Sequence, residues 1–284
     1  MGVQNFAAIL KGNQLCDELG IDTITAGNLI GVLMEAQETG LLSEKDLDGL
    51  NFKWGAEEAI LETIHRIAHR KGIGNILAEG SYGVIRQWPQ LRPIISQVKG
   101  LEQSAYDARI AISMALGYGT SDIGAHHARA WTIAKELEMG MDWTLEKKAD
   151  LVIYHQTLRP LFDMLGVCRL PWIELGFDEH QYAEFYSAVT GVETTLNDLL
   201  QRSMEIYDLT RAINTRMGAT RKDDYPPERV FQLAMTEGPH AGKILKREDY
   251  DAILDIYYEK RGWTKEGLVD EKKVATFNDA LITV

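Results

Sequence analysis

The feature that most limits how this chain can fold is an apolar helical periodicity that ends, segment after segment, on glycine. In "AEEAILETIHRIAHRKGIG", Ala56, Ile60, Ile64 and Ile67 recur at helical spacing, and Lys71-Gly72 supplies a cation and a stop. "NFAAILKGNQLCDELG" runs to Gly20, a good left-handed cap. Asp22 then stands where an N-cap belongs, ahead of "TITAGNLIGVLMEAQETG". "LEKKADLVIYHQTLRPLFDMLG" reads as a helix with a kink or break near Pro160. "TTLNDLLQRSMEIYDLTRAINTRMG" is long and amphipathic and closes at Gly218, and "REDYDAILDIYYEKRGW" closes at Gly262. Strand-type alternation is nearly absent. Its best candidate, "RPIISQVKG" at 92–100, is short, follows a proline, and reads as a linker or boundary. The expectation is an all-α fold of two packed helical domains, residues 1–97 and 98–284, divided near Ser96–Gly100.

Charge and cysteine content narrow the function. A net charge of −12 disfavours nucleic acid, which needs a basic stripe, and an anionic membrane surface. No apolar run approaches the ~20 residues of a membrane span, and "MGVQNFAAILKG" lacks the pattern of a signal peptide. The two cysteines, Cys16 and Cys168, do not make a disulfide framework, and a reducing cytoplasm is the simplest compartment. Two thiols also fall short of the four that an iron–sulfur cluster takes.

One six-residue device occurs twice: "DELGID" at Asp17–Asp22 and "DMLGVC" at Asp163–Cys168. Each sets an Asp three residues before the glycine that breaks a helix. Such a carboxylate accepts two parallel N–H donors, as it does from a guanidinium, and the amino-pyrimidinone edge of a pterin offers a similar pair. Each copy alone is also the ordinary way for a helix to end.

These copies lie among other stretches that go together: "LCDELGIDTIT", "GIGNILAEG", "VKGLEQSAYDAR", "LGYGTSDIGAHHAR", "DMLGVCRLP", "RAINTRMGATRKDDYPPER" and "YYEKRGW". In this order and over nearly the whole chain, Asn5 to Leu281, the sequence resembles the C-terminal helical domains (domains 2 and 3) of the tungsten-containing aldehyde:ferredoxin oxidoreductases. The resemblance implies that Asp17, Gly20, Ile21 and Asp22 hold one pyranopterin, and that Asp163, Gly166, Val167 and Cys168 hold the other. It implies that Cys168 is also the fourth thiolate of a [4Fe–4S] cluster. It implies that His127, in the register of a Gly-x-x-His-x-Arg segment, is an active-site histidine that transfers a proton. Cys16 lies outside the motif and reads as helix packing. His65 and His69, one helical turn apart, lack the Glu of a zinc-protease motif and read as an exposed face. "KREDYDAILD" and "KDDYPPER" read as solvated charge runs, while "RAINTRMG" and Arg229 read as ties between helices.

The parent activity so implied is oxidation of a small aldehyde to a carboxylic acid by a tungsten or molybdenum bis-pyranopterin, with electrons leaving through the cluster to ferredoxin. The family's chain is about twice as long. Its N-terminal β-rich domain, its other three cluster cysteines and a Glu beside the metal match nothing in this sequence. The inter-subunit iron site is not recognisable either. The expectation is that this chain alone holds neither tungsten nor cluster and oxidises no aldehyde. It would depend on an N-terminal pterin-binding domain or subunit, with a homodimer compatible. A helical scaffold that has lost the cofactor is the reading of a different class.

Overall fold

The computed structural model describes residues 1–139 and 143–277. Among these, thirteen α-helices and one short hairpin make up nearly all regular structure, in line with the all-α expectation. The first seven helices are α1 (Phe6–Leu19), α2 (Thr23–Glu38), α3 (Glu57–His69), α4 (Ile73–Leu77), α5 (Gly80–Gln87), α6 (Ile112–Thr120) and α7 (Ile133–Met139). The rest are α8 (Leu145–Leu165), α9 (Leu170–Leu175), α10 (His180–Thr190), α11 (Leu196–Arg216), α12 (Arg229–Gln232) and α13 (Arg247–Arg261).

The chain divides into two compact units. The first takes Met1–Tyr106, Ile123–His126 and Pro226–Ala234. Its core is built on α2, whose Leu29, Ile30, Leu33 and Met34 are buried beside Leu47, Phe52, Val84 and Leu91. Full burial of each such side chain stabilises the fold by about 1.5–3 kcal/mol. The first turn of α2 is fixed from two directions. The Asp22 carboxylate accepts the Thr25 N–H at 2.7 Å, which satisfies one of the helix's orphan donors. The buried Glu102 carboxylate accepts the Thr25 hydroxyl at 2.9 Å and the Ser81 N–H at 2.7 Å. Glu102 lies in the hairpin Gln97–Val98/Leu101–Glu102, so the stretch read as a linker ends as a paired element that seats α2 and α5. Arg229 ties α12 to α2, donating to Glu35 at 3.1 and 3.2 Å and to the Ile94 carbonyl at 2.7 Å.

The second unit takes Asp107–Asp122, His127–Tyr225 and the described residues from Met235 onward. The 21-residue helix α8 is its axis and packs against α6, α11 and α13. The break expected at Pro160 does not occur, and the helix continues five residues further. Proline costs α8 the hydrogen bond to the Gln156 carbonyl. The Gln156 side chain compensates in part by cross-linking the unit, donating to Thr120 Oγ1 at 2.9 Å and accepting from the Tyr257 hydroxyl at 2.6 Å. Helix α6 runs so close to its neighbours that a Cβ on Gly119 would lie 2.3 Å from the Asp224 carbonyl oxygen. Asp224, wholly buried, accepts from Arg211 Nη1 at 2.8 Å and closes the far side of the unit.

Candidate functional site

The two six-residue copies fold into the same backbone device. Gly20 (φ 68°, ψ 38°) and Gly166 (φ 67°, ψ 30°) both take the left-handed conformation that ends α1 and α8. After Gly20, the Ile21 N–H returns to the Cys16 carbonyl at 2.8 Å. After Gly166, the Val167 N–H returns to the Phe162 carbonyl at 3.0 Å. These are the paired bonds of a Schellman stop, and a Cβ at either glycine would strain it. In both copies the stop leaves the preceding aspartate, Asp17 or Asp163, exposed on the last helical turn.

The last residues of the copies diverge in use. Asp22 caps α2, while the exposed Cys168 offers its sulfur to the Leu170 N–H at 3.5 Å, a contact at the far limit of a hydrogen bond. A cavity of about 560 Å³ opens beside Cys168, walled by Met164, Pro171, Tyr182, Phe185 and Val189. Phe185 and Val189 are themselves largely exposed. The first copy has its own apolar cavity of about 360 Å³ between α1, α2 and α3, with Cys16 in its wall. Cys16 is buried, and burial, helped by the Asp17 and Asp22 carboxylates, raises its thiol above the usual range. It therefore stays protonated and packs, as its place outside the motif suggests.

Asp163 has a partner that spacing alone does not reveal. Arg129 donates through Nε to Asp122 Oδ1 at 2.9 Å and through Nη1 to Asp163 Oδ2. Asp122 is nearly buried and Asp163 mostly exposed, so Asp122 anchors the guanidinium and the guanidinium orients Asp163. The sequence signal was present in the "GAHHAR" stretch, but its two acids lie seven residues before Arg129 and 34 after it, a separation no periodicity reports.

His127 is half-buried two residues before Arg129. Its carbonyl and that of Ala128 accept from Arg159 Nη1 at 3.3 and 2.6 Å, which fixes the histidine's backbone to α8. His65 and His69 are exposed on α3, with His69 Nδ1 2.8 Å from the His65 carbonyl, an arrangement internal to the helix. Among the described residues, no group of three or more His, Cys, Asp or Glu side chains gathers into a metal-binding set. No helix there is long and apolar enough to cross a membrane. The predicted site residues thus fall into two groups, one in each unit. Asp17 to Asp22 form the first, and Asp163 to Cys168, with Arg129 and His127, form the second.

Comparison with known proteins agrees with this architecture. The family described as "Aldehyde ferredoxin oxidoreductase, domains 2 & 3" matches residues 1–278. The tungsten-containing aldehyde ferredoxin oxidoreductase of Pyrococcus horikoshii is 32% identical over 284 residues, covering 96% of this chain and 46% of the relative. Its counterpart in Pyrococcus furiosus is 33% identical over 283 residues with the same coverage. An aliphatic sulfonate oxidoreductase, WOR-like subunit, from Pyrococcus furiosus is 29% identical, covering 96% and 42%. Among solved structures, the active site complex BamBC of benzoyl coenzyme A reductase superposes with a TM-score of 0.70 over 93% of this chain and 45% of that one, at 21% identity, a likeness of fold. This chain spans about half the length of the curated relatives it matches. The order of its helices, its paired glycine stops and a family match running from residue 1 to 278 place it in the aldehyde ferredoxin oxidoreductase family, as that family's domains 2 and 3.

Proposed function

We propose that this chain is the helical portion of a tungsten bis-pyranopterin enzyme that oxidises aldehydes to carboxylic acids with ferredoxin as acceptor. The observation that carries this reading is the duplicated stop, with one backbone geometry at Gly20 and Gly166 and an exposed carboxylate before each. The donor chemistry of the residues suits such a group. An exposed carboxylate on a rigid helix end accepts paired N–H donors, and the exposed, weakly engaged Cys168 sulfur is available as a thiolate ligand.

In this reading Asp17 and Asp163 each bind the donor edge of one pterin, and the Gly20–Ile21 and Gly166–Val167 backbones pass close beside it. Asp22 keeps α2 in place, and Cys168 is one ligand of a [4Fe–4S] cluster. The metal and pterin, when bound, supply the two-electron redox chemistry. The chain's own residues position and exclude water. Arg129 orients the Asp163 carboxylate, and Arg159 fixes the loop on which His127 stands ready to move a proton. The apolar side chains exposed around Cys168, Val167, Phe185 and Val189 among them, are covered in the complete protein by the portion this chain does not span. One cluster thiolate on this chain requires three more from elsewhere, so isolated chain and complete protein differ in metal content.

Metal and pterin analysis tests this. The complete protein is expected to carry tungsten and iron and to reduce a dye when given an aldehyde, while the isolated chain carries neither metal in stoichiometric amount. Asp17→Ala and Asp163→Ala are each expected to lower pterin content in the complete protein. Full tungsten and pterin retention in both variants, or four irons per isolated chain, would overturn the assignment.

A further inference from the structure

The second unit buries a positive charge that no carboxylate meets. Arg159 is 3% exposed, and Arg169, directly after Cys168, is half-buried. Arg159 Nε donates to His155 Nδ1 at 3.2 Å, and its Nη1 donates to two backbone carbonyls. The Trp172 ring lies 5.8 Å from its central carbon. Every one of these partners is neutral, since burial, with the Arg159 charge second, lowers His155 to about 3. Arg159 Nη2 makes no hydrogen bond among the described residues. Arg169 Nε is buried and likewise without a hydrogen-bond partner.

The acids in this part of the unit are engaged elsewhere. Asp163, one turn along α8 from Arg159, pairs with Arg129. Glu179 accepts from the Tyr154 hydroxyl at 2.8 Å and from Trp172 Nε1 at 3.3 Å. Other buried cations of the same unit do have a carboxylate. Lys148 meets Glu136 at 2.9 Å and Arg211 meets Asp224 at 2.7 Å. Folded proteins rarely leave a buried charge unpaired, because desolvation is offset only by an opposite charge and hydrogen bonds. Here two like charges also repel. Burial, followed by the charge of Arg169, lowers Arg159 to about 10.

We propose that Arg159 and Arg169 form an anion seat beside Cys168 that takes a compact, multiply charged anion. Guanidinium forks suit such an acceptor because they present parallel, permanently charged N–H donors. Two sources share that chemistry: a free tetrahedral oxyanion such as sulfate or phosphate, and an iron–sulfide assembly completed on the Cys168 thiolate. The second source rests on the cluster ligation proposed above, and the first does not.

The test therefore has two arms. In the first, the chain as it is receives millimolar sodium sulfate against sodium chloride of equal ionic strength, followed by tryptophan fluorescence, which Trp172 reports, and by thermal melting. Saturable binding is expected. Sulfate at 100 times its Kd favours the folded state about 100-fold, a rise of roughly 5–10 °C in Tm. Arg169→Met abolishes that difference, and Arg169→Lys, which keeps the charge and loses the fork, retains part of it. In the second arm, Arg169→Met in the complete protein lowers the midpoint potential of the cluster, because removing a nearby cation disfavours the added electron. Sulfate binding with an unshifted potential identifies the free oxyanion as occupant. A shifted potential identifies the cluster. Sulfate indistinguishable from chloride together with an unshifted potential overturns the seat. A complete protein without a cluster refutes the ligation reading alone, and the first arm still decides the seat.

Discussion

Whether Asp163 is a functional carboxylate or a structural one can be decided by a double-mutant cycle with Arg129. The perturbations are Arg129→Met, Asp163→Asn and both together, with Asp122→Asn as the reference. The Asp163 side chain is 66% exposed and the Arg129 side chain 19%, so their ion pair works largely against water. Pairs of this kind couple by about 1 kcal/mol or less. Asp122 is 8% exposed and holds Arg129 Nε at 2.9 Å. Breaking that charged hydrogen bond in a semi-buried setting costs about 2–3 kcal/mol. Arg129→Met should therefore destabilise the chain by about 2–3 kcal/mol, through the acid it leaves at Asp122. Asp163→Asn should cost about 1 kcal/mol or less, and the cycle should close with a coupling of that size. Urea unfolding followed by far-UV circular dichroism, comparing midpoints at unchanged slope, measures all three. A loss above about 2 kcal/mol for Asp163→Asn, or a coupling equal to that between Arg129 and Asp122, would make Asp163 part of the scaffold. The case for a ligand-facing carboxylate would then fall with it.

Three further outcomes follow from particular contacts. His155 is lowered to about 3 by burial, and second by Arg159, against an ordinary value of 6.5. Between those pH values only the unfolded chain binds the proton, so stability falls as pH drops through the window, by up to about 1.4 kcal/mol per pH unit. His155→Phe should flatten that slope in unfolding curves taken from pH 4 to 7. Gly119→Ala, which would gain helix propensity at an open site, should instead destabilise by about 1–3 kcal/mol, since the new Cβ would meet the Asp224 carbonyl oxygen at 2.3 Å. A raised melting temperature would show that α6 has room there. Exchanging the ends of the two devices should separate capping from ligation. Asp22→Cys loses the cap on Thr25 and about 1 kcal/mol. Cys168→Asp leaves the Leu170 N–H an acceptor and the isolated chain as stable as before, while the complete protein loses iron.

Legibility of the fold tracked how locally each element is determined. The helices α8, α11 and α13 expose one side and bury the other, and each ends at or next to a glycine, so periodicity and stop signals were enough. Helix α6 gave no such signal. All nine of its residues are buried, two are glycines, and a helix buried all round has no amphipathic stripe to read. Pro160 carried a genuine local signal that tertiary packing overrode, since α8 is held through it by α6, α11 and α13. The hairpin at Gln97–Glu102 was illegible for the opposite reason. Its strands are two residues long, and what fixes it is Glu102 reaching Thr25, 77 positions away.

The same distinction runs through the duplicated device. Its first five residues are a local backbone solution, an acid on the last turn, a glycine in the left-handed region and an aliphatic residue whose N–H closes the stop. That is why both copies were visible and why both fold alike. What the sixth residue does depends on the segment that follows. After Asp22 comes a 16-residue helix with an orphan donor at Thr25, and the carboxylate is consumed in capping it. After Cys168 comes a six-residue helix whose first N–H reaches the sulfur only at 3.5 Å, and the side chain is left exposed. A carboxylate committed to its own backbone and a thiol left open are different physical objects despite their matching positions. The asymmetry between the copies therefore separates a residue that builds the clasp from one that is available to a ligand, and it makes Cys168, with the unpaired guanidinium of Arg169 next in the chain, the end of the device where chemistry can attach.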